Sequence, residues 1–251
     1  MKYLKTSDIA KAVGVHPNTV RMYEEFGFLP PVPRGHNGYR LFTEDHIDLM
    51  RLSWTAIRST WLGGYIRRAA FSIIESAVSG DFKGALEQAK CHLELVQAER
   101  LQAEAAAELL ENWAQESAKD GSGNFFSISE AAVHLDVTAD MLRNWESNGL
   151  VAVPRNPGNG YRIYGEAEIR RLKVIRTLRR ARYSTMSILR MFNRFDKGQK
   201  ENLRLALDTL NPEEDDILYT TDRWLSTLAQ LECHARDMIP LLEAIIRKQN
   251  F

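Results

Sequence analysis

Cysteine is nearly absent from this chain of 251 residues: only Cys91 and Cys233 occur. Two cysteines cannot build a disulfide framework, so the sequence suits a reducing compartment. Long apolar runs are missing too. None approaches the roughly 18 residues that a membrane span requires. The opening "MKYLKTSDIAKAVGV" lacks the apolar core of a secretory signal, which leads us to expect a cytoplasmic protein with no membrane partner. Signatures of common enzyme chemistry are also lacking: there is no G-x-x-x-x-G-K-[ST], no H-E-x-x-H and no G-x-S-x-G. An enzyme is therefore not expected, and no cofactor is implied.

Net charge is zero, but the charge is unevenly spread. Arg143 to Arg204 holds 15 Lys/Arg against 5 Asp/Glu, whereas Glu87 to Asp120 holds 3 against 8. Such separation suits either a polyanion-facing surface or solvated helix faces.

What is present is a repeat. Asn37-Gly38-Tyr39-Arg40 recurs as Asn159-Gly160-Tyr161-Arg162, shifted by 122 positions. The same shift places Arg21 on Arg143, Tyr23 on Trp145, Glu24 on Glu146, Gly27 on Gly149 and Phe42 on Tyr164. Internal repetition of this kind is read as two copies of one structural unit.

The first copy has helical spacing at Ile9, Ala10 and Val13, with Gly14 as a stop. Pro17 suits the first position of a second helix. Val20, Tyr23 and Phe26 form its inward stripe, Asn18, Thr19, Arg21 and Met22 its outward face, and Gly27 its cap. Asn37-Gly38 then predicts a hairpin turn with positive φ at both residues. Helix, turn, helix and hairpin make a winged helix-turn-helix.

The joint pattern T-x-R-x-[YW]-E-x-x-G, a Pro-Arg stretch and N-G-Y-R-x-[FY] resembles the DNA-binding domain of MerR-type transcriptional regulators. The resemblance covers roughly residues 4–70 and 126–195. It implies a second helix in the major groove and a wing on phosphates. The matching positions are His16, Asn18, Thr19, Arg21 and Tyr23 in the first copy, and Thr138, Asp140, Met141, Arg143 and Trp145 in the second. Arg34, Tyr39 and Arg40, with Arg155, Tyr161 and Arg162, match the wing. Tyr23 and Trp145 also fit a core role. Two departures stand out. Met22 and Asn144 replace an aromatic that relatives often carry before the Glu. Asn18 aligns with Asp140, so the heads are expected to read different half-sites.

Between the copies, Leu86, Ala89, Leu93, Val96, Arg100, Ala103, Ala107, Leu110 and Ala114 alternate at 3 and 4, a coiled-coil seam with one charged interruption. "KDGSGN" reads as a linker. Leu228, Leu231, Ala235, Met238, Leu242 and Ile245 form a second seam, with a kink expected at Pro240. The expected fold is mainly α: two winged helix-turn-helix domains, each followed by a long coiled-coil-type helix. The boundaries are 1–80, 84–118, 119–125 for the linker, 126–198, and 199–251 for an extra helical stretch ending in the second long helix.

The resemblance implies promoter DNA and RNA polymerase as partners, with room for an unidentified small effector near Trp54, Trp61, Trp113 or Trp224. A single chain imitating a dimer is the preferred arrangement and a homodimer the alternative. The rival function is an interaction adaptor that has lost DNA binding. Cys91-His92 and Cys233-His234 would form a metal site only if the two dipeptides converged; buried or inert thiols are the simpler reading.

Overall fold

The computed structural model describes residues 3–58, 64–116, 125–209 and 223–249. Trp61 and nearly all of the expected linker lie outside the described residues. Eleven helices are found there: α1 Thr6–Val13, α2 Pro17–Glu25, α3 Glu44–Ile57, α4 Tyr65–Val78, α5 Phe82–Glu116, α6 Ile128–His134, α7 Ala139–Ser147, α8 Glu166–Arg180, α9 Thr185–Asp196, α10 Leu203–Asp208 and α11 Trp224–Gln249. The chain divides into two compact units, Met1–Ala98 with Leu228–Phe251, and Glu99–Thr227.

Unit 1 begins with α1 and α2. The turn between them places Gly14 at φ 75°, a left-handed conformation that glycine adopts without strain. Pro17 opens α2 as expected, and Gly27 follows its end at φ 76°. A short pairing of Leu4 with Phe42 closes the motif, through N–H···O bonds of 2.8 and 3.1 Å. The core gathers Ile9, Val20, Tyr23, Leu29, Phe42 and Leu52 with the α4 residues Ile73 and Ile74. Burying each large aliphatic side chain contributes about 1.5–3 kcal/mol. Phe26 departs from expectation: it is 64% exposed. The carbonyl of Tyr23 is taken by Phe28, and Phe28 rather than Phe26 packs on the Tyr23 ring at 5.4 Å.

The first part of α5 and most of α11 complete unit 1. Ala85 and Ala89 share its core with Ala235, Met238, Leu242 and Ile245. Gln97 donates to Glu232 at 3.1 Å. Lys90, whose pKa is raised first by its hydrogen bond to Glu87, also feels Glu243. As α5 residue numbers fall, α11 numbers rise, so the two helices run antiparallel. Most of both expected seams is buried, Ala89, Val96, Ala103, Ala107, Leu110 and Ala114 in α5 and Leu228, Leu231, Ala235, Met238, Leu242 and Ile245 in α11, while Leu86, Leu93 and Arg100 are half-buried. α5 starts two residues before its expected boundary, because Asp81 Oδ1 accepts the Gly84 N–H at 2.9 Å and caps the first turn.

Unit 2 repeats the motif with α6, α7, α8 and α9. Phe126 pairs with Tyr164 as Leu4 pairs with Phe42. Here Asp136 stands where Gly14 stands, at φ 49°. Aspartate is among the few residues that tolerate this region. The remainder of α5 belongs to this unit: the Tyr183 hydroxyl donates to the Ala103 carbonyl at 2.9 Å, and Trp113 lies 4.5 Å from the Phe195 ring. The extra helical stretch is shorter than expected. Only Leu203–Asp208 is helical, since Gly198 and Asn202 take left-handed turns before it, and 210–222 lies outside the described residues.

Candidate nucleic-acid interface

Each head presents one face built from its second helix and its wing. In the first, His16 is the N-cap of α2, its Nδ1 accepting the Asn18 N–H at 3.2 Å. Asn18 Oδ1 in turn accepts from Arg21 at 2.7 Å. His16, Asn18 and Arg21 are exposed and Thr19 is half-buried. In the second, Thr138 is the N-cap of α7 and its hydroxyl oxygen accepts the Met141 N–H at 3.2 Å. Asp140, Met141 and Arg143 are exposed. The local hydrogen-bond pattern is thus conserved between the copies while its chemistry changes. The Asn18–Arg21 contact leaves the guanidinium charge uncompensated; the Asp140–Arg143 contact is an ion pair.

Tyr23 and Trp145 are not surface groups. They are 3% and 4% exposed, and burial pushes the Tyr23 hydroxyl up to about 12. Their assignment as base-reading residues is corrected: both are the inward anchors of their helices.

The wings differ from expectation in their turns. Among the described residues only Gly38 and Gly160 of the Asn-Gly pairs have positive φ. Asn37 and Asn159 instead use their side-chain carbonyls to accept the N–H of Tyr39 and Tyr161, at 3.2 and 3.0 Å. Asparagine makes such turns through its own side chain, so a mirror-image turn is unnecessary. Tyr39 and Tyr161 project from the tips at 70% and 74% exposure. The second wing is also one residue longer. Arg34 pairs with Arg40 and Arg155 with Arg162, although both heads keep the same spacing from Gly27 or Gly149 to the final arginine.

Arg40 and Arg162 have a second task that was not foreseen. Arg40 ion-pairs with Glu24 of α2, and Arg162 Nε with Glu146 of α7 at 2.5 Å. Both are partly buried. Each bond ties the wing to the second helix, which explains why Glu and Arg recur together in the repeat. Glu146 also takes Arg155 at 3.4 Å, whereas Arg34 donates to the Gly38 carbonyl of its own wing at 3.3 Å.

The sharpest contrast lies in the helix behind the wing. α3 carries one base and three acids; α8 carries six bases and two acids. Arg176 and Arg180 reach back to the turn before α7, donating to the Leu135 carbonyl at 2.7 Å and to Asp136 at 2.6 Å. With Arg179 they line a cleft of about 650 Å3 beside Thr138, Asp140 and Asn144. This basic cleft was visible in the sequence only as a charge excess.

The cysteine-histidine pairs do not converge. By the register that the Gln97–Glu232 bond sets, Cys91 and Cys233 are offset by about five residues, roughly 7–8 Å, along the helix pair. Both thiols are exposed rather than buried. His92 is buried with no partner for Nδ1, and burial lowers its pKa to about 4.

A family model described as "MerR HTH family regulatory protein" matches residues 4–53 and 126–194. Two MerR-type helix-turn-helix domains stand in tandem in this chain. The similar curated proteins include the HTH-type transcriptional regulator CueR of Escherichia coli O157:H7. It is 39% identical over 49 residues, or 20% of this chain and 36% of the relative. HTH-type transcriptional regulator YfmP of Bacillus subtilis (strain 168) is 38% identical over 48 residues, 19% of this chain and 34% of the relative. The chain therefore spans about a third of the length of the curated relatives it matches. No solved structure matches. Among the described residues no helix is long and apolar enough to cross a membrane.

Proposed function

We propose that this chain is a transcriptional regulator that binds double-stranded promoter DNA through both MerR-type heads. One observation carries the reading: each head leaves the outer face of its second helix and its wing tip exposed, with the wing fixed to that helix by an Arg–Glu bond. His16, Asn18, Thr19 and Arg21 read one half-site, and Thr138, Asp140 and Arg143 the other. Tyr39 and Tyr161, with Arg34 and Arg155, hold phosphates. A single chain then imitates the dimer of its relatives, in the cytoplasm, and acts by distorting the promoter for RNA polymerase. The antiparallel packing of α11 on α5 supports this arrangement, because one chain supplies both helices of the pair.

The test is selection of bound fragments from a genomic pool by the full chain at physiological salt. Two different half-sites about one DNA turn apart are expected. A palindrome would replace the single-chain reading with a homodimer, as would a dimer mass at micromolar concentration without DNA. Absence of enrichment would favour an interaction adaptor. Each phosphate contact should add about 0.9 to the salt slope, which an adaptor would lack.

A further inference from the structure

Trp113 is the last large side chain of the α5 seam region, and its surroundings are unusual. Its indole N–H is buried and reaches no acceptor. A cleft of about 330 Å3 opens beside it, walled by Phe195, Val151 and Ala152. That volume is at the lower end of small-molecule sites, roughly 300–1,000 Å3, and fits one or two fused rings. Trp113 meets Phe195 at 4.5 Å and Phe192 edge-on at 5.8 Å, so the floor is aromatic.

The charges in the lining favour an anion. Lys200 is exposed, lies 5.4 Å over the Phe195 ring, and makes no ion pair among the described residues. Arg170 lines the same cleft and pairs with Glu166 at 3.9 Å, and Arg171 lines it while clamped to Asp196. Among the described residues the one carboxylate in the lining, Glu168, accepts the Gly165 N–H at 2.9 Å and is outnumbered by Lys200, Arg170 and Arg171.

We propose that this cleft binds a small planar carboxylate, with its ring on Trp113 and Phe195 and its anion at Lys200. The site is mechanically joined to the second head. Val151 and Ala152 connect α7 to the wing, and Arg171 beneath them donates to the Leu150 carbonyl at 2.6 Å while clamped to Asp196 at 2.7 and 2.9 Å. A ligand here bears directly on the segment that positions the wing. Only its regulatory meaning rests on the DNA-binding reading; its existence does not.

The experiment titrates the full chain with 2-naphthoate by calorimetry, without DNA. One saturable site is expected. Affinity should fall roughly tenfold in Trp113→Leu, which removes the aromatic face, and by a similar factor in Lys200→Ala. Neutral 2-naphthamide should bind more weakly. Amide exchange at 150–164 should slow in the complex. No saturation at millimolar 2-naphthoate, or an affinity unchanged in both variants, would overturn the site. Equal binding of the amide would overturn the anion subsite, and unchanged exchange the link to the wing. Should the chain bind no DNA, the function proposed above fails while these outcomes still decide the site.

Discussion

The two heads share a frame and differ in charge. Both have an N-capped second helix, an inward aromatic, a glycine at its end and an Arg–Glu tie to the wing. Yet Asn18 is replaced by Asp140, and the acidic α3 by the strongly basic α8. The groups that hold the fold are repeated, and the charges around the second helix are not. In the first head a cationic Arg21 stands on a helix with little basic support behind it. In the second, Arg143 is neutralised and the positive charge has moved to α8. On the function proposed above, Arg21 should therefore matter more to the first half-site than Arg143 does to the second.

The largest expected effect separates the units themselves. Leu242 is fully buried in the unit 1 core. Leu242→Ala should cost about 2–5 kcal/mol, and hydrogen exchange should accelerate in 3–58 and 64–98 before 125–209. Simultaneous acceleration everywhere would show that the units open as one.

His92 gives a pH test confined to unit 1. Its folded pKa is lowered to about 4 by burial, so its contribution is present above the ordinary histidine value near 6.5. Stability is lost as pH falls from there toward 4, because protons bind the unfolded chain first. The expected loss is up to roughly 3 kcal/mol, and His92→Leu should flatten that part of the Tm profile. An unchanged profile would place the acid sensitivity elsewhere.

On DNA, Arg21→Ala should weaken binding by roughly 5- to 150-fold and relax specificity at one position of its half-site. Arg143→Ala should change affinity less than fivefold, since its charge is already spent on Asp140. Equal losses would erase the distinction between the heads. Asp140→Asn goes the other way: it gives the second head the Asn–Arg pair of the first and should raise affinity several-fold, most at low salt. The smallest effect is expected at the turn. Asp136→Gly relieves a left-handed aspartate but removes the Arg180 ion pair, so the stability change should stay within about 1 kcal/mol in thermal unfolding.

Much of this was legible in the sequence, because periodicity and repetition are physical. The seam residues of α5 and α11, the glycine stops, Pro17 and the doubled wing follow from spacing alone. What spacing does not encode is partnership. Glu24 and Glu146 were seen to recur, but their pairing with Arg40 and Arg162 spans 16 residues and needs the wing folded back. Phe26 fits helical periodicity, yet α2 ends at Glu25 and the chain turns at Gly27, leaving the ring outside. The left-handed requirement at 136 was hidden because aspartate fills it. The clefts at Trp113 and beside α7 join residues from three or more elements, so neither leaves a local signature.

One feature of the fold governs the order in which this molecule can be completed during synthesis. The core of unit 1 draws on Ala235, Met238, Leu242 and Ile245, near the far end of the chain from Ile9 and Val20. Unit 2, confined to Glu99–Thr227, has all its residues made before those are. On the ribosome, the segment made first therefore waits longest for its cover, with an apolar face open while unit 2 is already able to close. A released chain lacking 228–251 would hold every residue of the second head and a first head without its α11 cover.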